Sequence, residues 1–319
     1  MKYTTKLLVI LLACSAPMVE ASENGAPPGI TPFGVDGQSY FDLPPPGFYL
    51  LNYTGYYESD KLADKHGNNS LPGAKVKAAY NAFRLSYFPQ HPIWGADWQV
   101  HEVFPTISEN QFSYRGKTER KTGLTDLAVD PFGLGWKIGN TNIGFSTTFI
   151  APTASFDQDD AVNLGKNHFT WVPQFFLTHY LPKGWGDFSF HTGYEYNWAN
   201  KDGSINAVNP EGKRYKSGQV VHAEAALTHY MGNWRVGANL VAGYQVTSDK
   251  ISGESTANDY LQDQLDGNKY QKLTAGLTGQ YRIGGVAPIT LTYSKDVRAR
   301  NTSEGDSIVM RIVLPLSFF

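Results

Sequence analysis

Charged side chains recur on one face of segments whose residues alternate between polar and apolar, a spacing that can line a polar passage. The basic members come from late segments; they are Arg235, Lys272, Arg282 and Arg311. Acidic and imidazole side chains share that face; they are Glu102, Asp126, Asp130, His191, Glu195, His222 and Glu224. Two interpretations stay open. Either the charges pair with one another and fill the interior, or the basic group selects anionic solutes along a path.

Nucleophilic catalysis is a weaker interpretation of the same residues. Ser189, His191 and Glu195 share one strand face, but side chains two residues apart on a strand lie about 6–7 Å apart, too far for a direct hydrogen bond. They also lie on the polar face, whereas an enzyme that hydrolyses lipids needs its nucleophile toward the bilayer. We therefore expect no enzymatic activity and no catalytic residue.

Metal and cofactor binding also find little support. His222 and His229 have opposite strand parity, and the other histidines are scattered along the chain. One connector contains three aspartates, Asp157, Asp159 and Asp160, which could bind Ca²⁺. A solvated acidic loop is the simpler explanation. No glycine-rich loop precedes a helix. We expect no metal site and no cofactor.

The elements that must position the charged face are β-strands. In the clearest segment, 234–244, alternate residues form one apolar face; they are Trp234, Val236, Ala238, Leu240, Ala242 and Tyr244. Period-two alternation with aromatic ends, over about 9–11 residues, is typical of a membrane-spanning strand. Related patterns occur in 188–198, 221–228, 271–281 and 289–294.

Three other segments alternate less regularly. They are 75–88, 95–107 and 168–180. Pro105 and Pro173 weaken two of them as uninterrupted strands, because proline cannot donate a ladder hydrogen bond.

The connectors between segments alternate between long and short. The long ones are 59–74, 109–121, 152–167, 200–217, 248–269 and 297–304; the short ones are 89–94, 139–140, 181–186, 231–233 and 283–287. This predicts an all-β fold, a transmembrane antiparallel β-barrel of about 12 strands with short periplasmic turns and long extracellular loops. About 14 strands stay possible if a long loop contains a hairpin. A secreted β-sandwich is a further alternative.

Composition fits a barrel that faces lipid. Aromatic residues make up 14% of the chain, and many lie at segment ends, where interfacial girdles are expected. Mean hydropathy is −0.35, which a barrel allows because only every second residue of a strand faces lipid. The formal net charge of −2 gives no support to nucleic-acid binding.

The first residues predict export. Lys2 and Lys6 precede an apolar stretch at 7–16, and Val19-Glu20-Ala21 offers a cleavage point, so we interpret 1–21 as a signal peptide. Cys14, the only cysteine, leaves a lipoprotein signal as an alternative. We expect localisation in the outer membrane of a Gram-negative cell, with outer-membrane lipids as partners.

The remaining chain divides into two parts. Residues 22–46 form a Pro/Gly-rich N-terminal segment, either disordered or docked into the periplasmic mouth, and 47–319 form the barrel. The last strand alternates from Ile308 to Phe318, a pattern that barrel-insertion machinery recognises, although the final Phe319 has the parity of the polar face.

Two stretches give the chain a family resemblance. The run Pro-Pro-Pro-Gly-Phe-Tyr-Leu-Leu-Asn-Tyr at 44–53, and Gly123-Leu124-Thr125-Asp126-Leu127 leading through Asp130-Pro131 to Leu134-Gly135-Trp136, are similar to outer-membrane proteins labelled as involved in the meta-pathway of phenol degradation. Thr125 stands where that family has a second glycine. The resemblance implies an outer-membrane channel or facilitator for small hydrophobic or aromatic solutes. A non-conducting structural or ligand-binding barrel stays open.

Overall fold

The computed structural model describes residues 33–38, 42–103, 106–284 and 287–316, except for the side chains of 101–103. The predicted signal peptide with Cys14, the side chain of Glu102, Pro105 and Phe319 lie outside the described residues.

Sixteen strands and one α-helix make up the described chain. The first eight strands are β1 (Gly47–Ala63), β2 (Lys75–Phe88), β3 (Asp97–Val103), β4 (Ile107–Tyr114), β5 (Lys117–Leu124), β6 (Leu127–Ile138), β7 (Thr141–Ala151) and β8 (Thr170–Tyr180). The others are β9 (Gly186–Asn197), β10 (Tyr215–Lys216), β11 (Val220–Met231), β12 (Trp234–Gln245), β13 (Lys250–Ile251), β14 (Gln271–Ile283), β15 (Ala287–Arg300) and β16 (Thr302–Pro315). Helix α1 spans Ser255–Leu265, and two short 3₁₀ helices span Pro182–Gly184 and Asp266–Asn268.

The large sheet closes into an antiparallel barrel of twelve strand positions. β1 pairs with β16 on one side and with β2 on the other, so the sheet has no open edge at that seam. Two positions are each built from two consecutive pieces: β3 with β4, and β5 with β6. β2 pairs with both pieces of the first, and β6 pairs with β3 while β5 pairs with β4.

The predicted long loop at 109–121 is instead a hairpin, β4–β5. Arg115 and Gly116 both have positive φ, 50° and 76°, as the tightest two-residue hairpin turn requires. The prediction was wrong because polar and apolar residues alternate only weakly here. Below the hairpin, the Thr125 amide still donates to the carbonyl of Thr106 at 2.8 Å.

The predicted long loop at 297–304 is also strand. β15 runs to Arg300 and β16 begins at Thr302, leaving only Asn301, whose φ is +49°. β15 and β16 separate above the Lys295–Asp306 pair, and each then bonds its other neighbour. β15 pairs with β14 as far as Arg300, and β16 pairs with β1 from its first residue, Thr302.

Other predicted elements are confirmed. Gly139-Asn140 is the tight turn between β6 and β7, and β8 is continuous through Pro173. Pro173 faces Thr147 of β7, whereas the β8–β9 ladder is interrupted between Trp171 and Gln174. This is the weakness that a proline inside a strand predicts.

Side chains alternate as the late segments predicted. On β12, Trp234, Leu240 and Tyr244 are exposed on the outer surface, whereas Asn239 and Gln245 are buried inside. The connector 246–270 shares a small apolar core with β10, in which Leu261 and Leu265 of α1 pack against Tyr215 and Ile251. No helix in the described ranges is long and apolar enough to cross a membrane.

Candidate functional site

The barrel interior contains a hydrogen-bonded chain that crosses three neighbouring strands. Register places His191 of β9 opposite Glu224 of β11, and the His191 Nδ1 to Glu224 Oε1 distance is 2.6 Å. The other ring nitrogen, Nε2, lies 2.9 Å from Oε1 of Gln174 on β8. His191 and Glu224 are only 2% and 1% exposed. These two hydrogen bonds therefore fix the plane of the His191 imidazole inside the lumen.

A second histidine–carboxylate pair lies beside the first. Nε2 of His222 is 2.9 Å from Oε2 of Glu195, and both side chains are buried. β9 and β11 each contribute one histidine and one glutamate. His191 and Glu224 are direct register partners, whereas His222 lies opposite Gly193 and reaches Glu195 diagonally. Burial with matched partners is what polar groups inside a barrel require.

Aromatic rings cover these imidazoles. Phe176 of β8 faces His191 in register, and the two rings stack with centroids 4.2 Å apart and planes 11° apart. The Tyr270 ring lies 6.3 Å from that of His222. The inner wall at this level thus offers flat surfaces as well as charge.

Three of the four basic residues predicted to form a selective wall have carboxylate partners. Arg235 is bonded to Asp187, with Asp42 also 3.8 Å away. Nζ of Lys272 lies 2.9 Å from Asp296. The fourth, Arg282, is exposed near the β14–β15 turn. Among the described residues, the pairing interpretation therefore accounts for the buried cations better than a free basic wall does.

The third partner comes from the N-terminal segment. Arg311 Nη1 donates to Oδ1 of Asp36 at 2.6 Å, and the hydroxyl of Tyr53 donates to the same oxygen at 2.9 Å. Residues 33–38 therefore lie inside the lumen, deeper than the predicted docking at its mouth.

Asp126 is bonded to the backbone of a loop. It is buried, but its carboxylate accepts the amides of Ala154 at 3.0 Å and Lys166 at 2.8 Å. Both donors belong to the connector between β7 and β8. Asp126 therefore anchors this loop. That it also lines a solute path stays a prediction.

The serine–histidine arrangement does not form. Ser189 donates to Asp187 at 3.0 Å, while the nitrogens of His191 face Glu224 and Gln174. Within the described ranges, no group of three or more His, Cys, Asp or Glu side chains is placed to hold a metal. In the acidic loop, Asp160 pairs with Lys121 and Asp157 accepts the Asp159 amide at 3.0 Å.

Four interior side chains were not among the predicted ones. Asp187 and Asp296 share the parity of the predicted inner residues, so extending each strand by one or two positions would have found them. Phe33 and Asp36 carried no comparable signal, because the proline- and glycine-rich segment has no periodicity.

The closed antiparallel barrel, with apolar residues outside and paired polar residues inside, is of the outer-membrane type. The model of the family described as "Putative MetA-pathway of phenol degradation" matches residues 59–312. The chain belongs to this family.

One solved structure shows the same architecture. The COG4313 outer membrane channel from Pseudomonas putida F1 is 16% identical, with a TM-score of 0.72 over 88% of this chain and 98% of that one. At this identity the similarity establishes the fold. The beta domain of the Bordetella autotransporter BrkA is 10% identical, with a TM-score of 0.47 over 85% of this chain and all of that one. A comparison with curated proteins found no match.

Proposed function

We propose that the protein is a non-enzymatic outer-membrane channel that facilitates uptake of small hydrophobic or aromatic compounds linked to aromatic catabolism. The observation that carries this proposal is the inner wall around His191, where stacked aromatic rings adjoin buried, paired charges. Such a wall can contact a planar solute without leaving a charge unpaired. Membership of a family described by phenol degradation supports the substrate class.

The proposal includes the protein's setting. A signal peptide at 1–21 would direct export, the last strand would engage barrel-insertion machinery, and outer-membrane lipids would surround the apolar surface. Leu240, Leu277 and Leu291 are exposed on that surface, as lipid contact requires.

Swelling of liposomes containing the purified protein tests the function. The solutes are an aromatic carboxylate, an aliphatic acid of similar size and a sugar. A facilitator gives faster swelling with the aromatic acid, whereas a general pore gives equal rates. Liposomes with heat-denatured protein provide the control for leakage.

A second candidate function is a non-conducting barrel that binds a ligand. It is favoured by the position of residues 33–38, whose ring, carboxylate and backbone all contact the inner wall. No swelling with any solute, together with saturable binding of an aromatic compound, would support this candidate over the channel.

A further inference from the structure

Phe33 occupies a flat seat on the inner wall. Its ring lies parallel to His191, with centroids 4.2 Å apart and planes 8° apart, and also stacks on His222 at 4.7 Å and 19°. Phe176 stacks on His191 at the same 4.2 Å. Two parallel rings cannot share one face at that distance, so Phe33 and Phe176 cover opposite faces of the imidazole.

Gly193 makes room for this ring. A Cβ atom at position 193 would lie 2.9 Å from Cζ of Phe33 and 3.3 Å from Cγ of Gln174. Real Cβ atoms essentially never approach a heavy atom to 2.9 Å. The glycine is therefore explained by the close approach of an aromatic ring to the wall.

Asp36 occupies a second seat, for an anion. Its Oδ1 accepts from Arg311 at 2.6 Å and from the Tyr53 hydroxyl at 2.9 Å. The guanidinium of Arg84 lies 5.4 Å from the Tyr53 ring centroid. Hydrogen bonds that involve charged groups are about twice as strong as neutral ones. Among the described contacts of residues 33–38, the one with Arg311 has a charged group on both sides.

The wall between the two seats disfavours an anion beside the ring. The amide of Gly34, next to Phe33, donates to Oε2 of Glu224 at 2.9 Å. A carboxylate attached directly to a ring in the Phe33 seat would face that glutamate and be repelled. A carboxylate on a short flexible chain would avoid that glutamate and could approach Arg311, which Asp36 contacts from three residues along the backbone.

We propose, on the basis of the proposed function, that Phe33 and Asp36 are an internal pseudo-ligand in a binding site for aromatic compounds that carry a carboxylate on a short flexible chain. The ring seat is formed by His191, His222 and Gly193, and the acid seat by Arg311 and Tyr53. An external ligand binds by displacing the segment from both seats. Its apparent affinity is therefore lowered by the fraction of time that the segment is bound.

Two substitutions that break the same ion pair distinguish this site from a structural contact. Asp36→Asn weakens the pseudo-ligand but keeps the acid seat, so the affinity for 3-phenylpropionate should rise by about threefold or more. Arg311→Gln also frees the segment but removes the seat, so the affinity should fall by about tenfold or more. A purely structural ion pair predicts the same change for both variants.

The binding measurement is isothermal titration calorimetry on the full chain in detergent. Competing ligands isolate each seat: 3-cyclohexylpropionate lacks the flat ring, 3-phenylpropanol lacks the charge, and benzoate lacks the flexible chain. All three should bind more weakly than 3-phenylpropionate. Equal binding of 3-phenylpropionate and 3-cyclohexylpropionate would overturn the ring seat.

Further variants keep the proposal testable if Arg311→Gln does not fold. Tyr53→Phe removes one hydrogen-bond donor at nearly constant size. It should lower the affinity for 3-phenylpropionate by about threefold to tenfold. Gly193→Ala fills the ring seat and should also lower the affinity for 3-phenylpropionate. Val35→Ala keeps all described contacts of the segment and should leave that affinity unchanged. A difference in gel migration between unheated and heated samples verifies that each variant is folded.

The outcome is separable from that of the proposed function. Transport of neutral aromatic compounds without these binding changes would contradict the site and leave the channel intact. Conversely, opposite changes for Asp36→Asn and Arg311→Gln in a protein that causes no swelling would support the site and reject the channel.

Discussion

Asp187 of β9 and Arg235 of β12 form an ion pair across the intervening strand β11. Thr228 of β11 lies between them: its hydroxyl donates to Asp187 and accepts from Nε of Arg235 at 3.0 Å. The Tyr230 hydroxyl also donates to Asp187, at 2.8 Å. One carboxylate thus connects three strands near the periplasmic turns, where the backbone ladder joins only neighbours.

Removing one partner of this ion pair should destabilise the protein more than the pair itself stabilises it. Asp187→Asn or Arg235→Met leaves one buried group without its partner, and each should lower the free energy of unfolding by about 3–5 kcal/mol. The double variant should lose less than the sum. Denaturant unfolding in lipid vesicles measures all three.

Arg282 provides the matched control. It is an arginine of the same inner parity, but it is exposed near the β14–β15 turn. Arg282→Met should change the free energy of unfolding by less than about 0.5 kcal/mol. Additive losses for the Asp187 and Arg235 variants would contradict the pairing.

Period-two alternation predicts an inner face but not the contacts on it. It placed Arg235, Lys272 and Arg311 inside correctly, and it placed Leu240 and Tyr244 outside. It cannot give the partners of the cations, because those depend on strand stagger. A partner such as Asp36 comes from a segment without periodicity, so no pattern in the sequence could assign it.

The outer surface gives a prediction about membrane burial. Leu277 is 68% exposed and lies midway along β14, opposite Ala238 and Tyr293. Leu277→Arg should destabilise the barrel in vesicles by about 2–4 kcal/mol, the cost of an arginine facing the bilayer midplane. Val246→Arg, at the extracellular end of β12, should cost about 0–1 kcal/mol. Equal costs would show that Leu277 does not face lipid.

The extracellular connector contains a buried carboxylate. Asp249 accepts from the Tyr215 hydroxyl at 2.6 Å, the Gly218 amide at 2.7 Å and the Gln245 and Asn268 side chains at 2.8 Å. Burial nevertheless raises the pKa of Asp249 to about 6, because desolvation outweighs the hydrogen bonds that favour the charged form. The folded loop therefore binds a proton more tightly than the unfolded one.

The sign of the pH dependence follows from that shift. Protonated Asp249 stabilises the folded loop, and this contribution is complete below the unfolded pKa of about 3.9. It is lost as the pH rises through about 6, a change of about 3 kcal/mol at most. Amide hydrogen exchange in 246–270 should therefore show greater protection at pH 4.5 than at pH 7 after correction for the intrinsic rate. Asp249→Asn should flatten this difference, and greater protection at pH 7 would contradict it.

Lys272 and Asp296 allow the two interpretations of the interior charges to be separated. Nζ of Lys272 lies 2.9 Å from Asp296, and the Tyr57 hydroxyl donates to the same carboxylate at 3.1 Å. Lys272→Asp places two carboxylates together and should lower the temperature at which the folded band disappears on gels. Adding Asp296→Lys restores an opposite-charge pair and should recover part of that loss, although the donors that face Asp296 lose their acceptor. If Lys272 instead served mainly to attract anions, adding Asp296→Lys would recover none of the stability lost in Lys272→Asp.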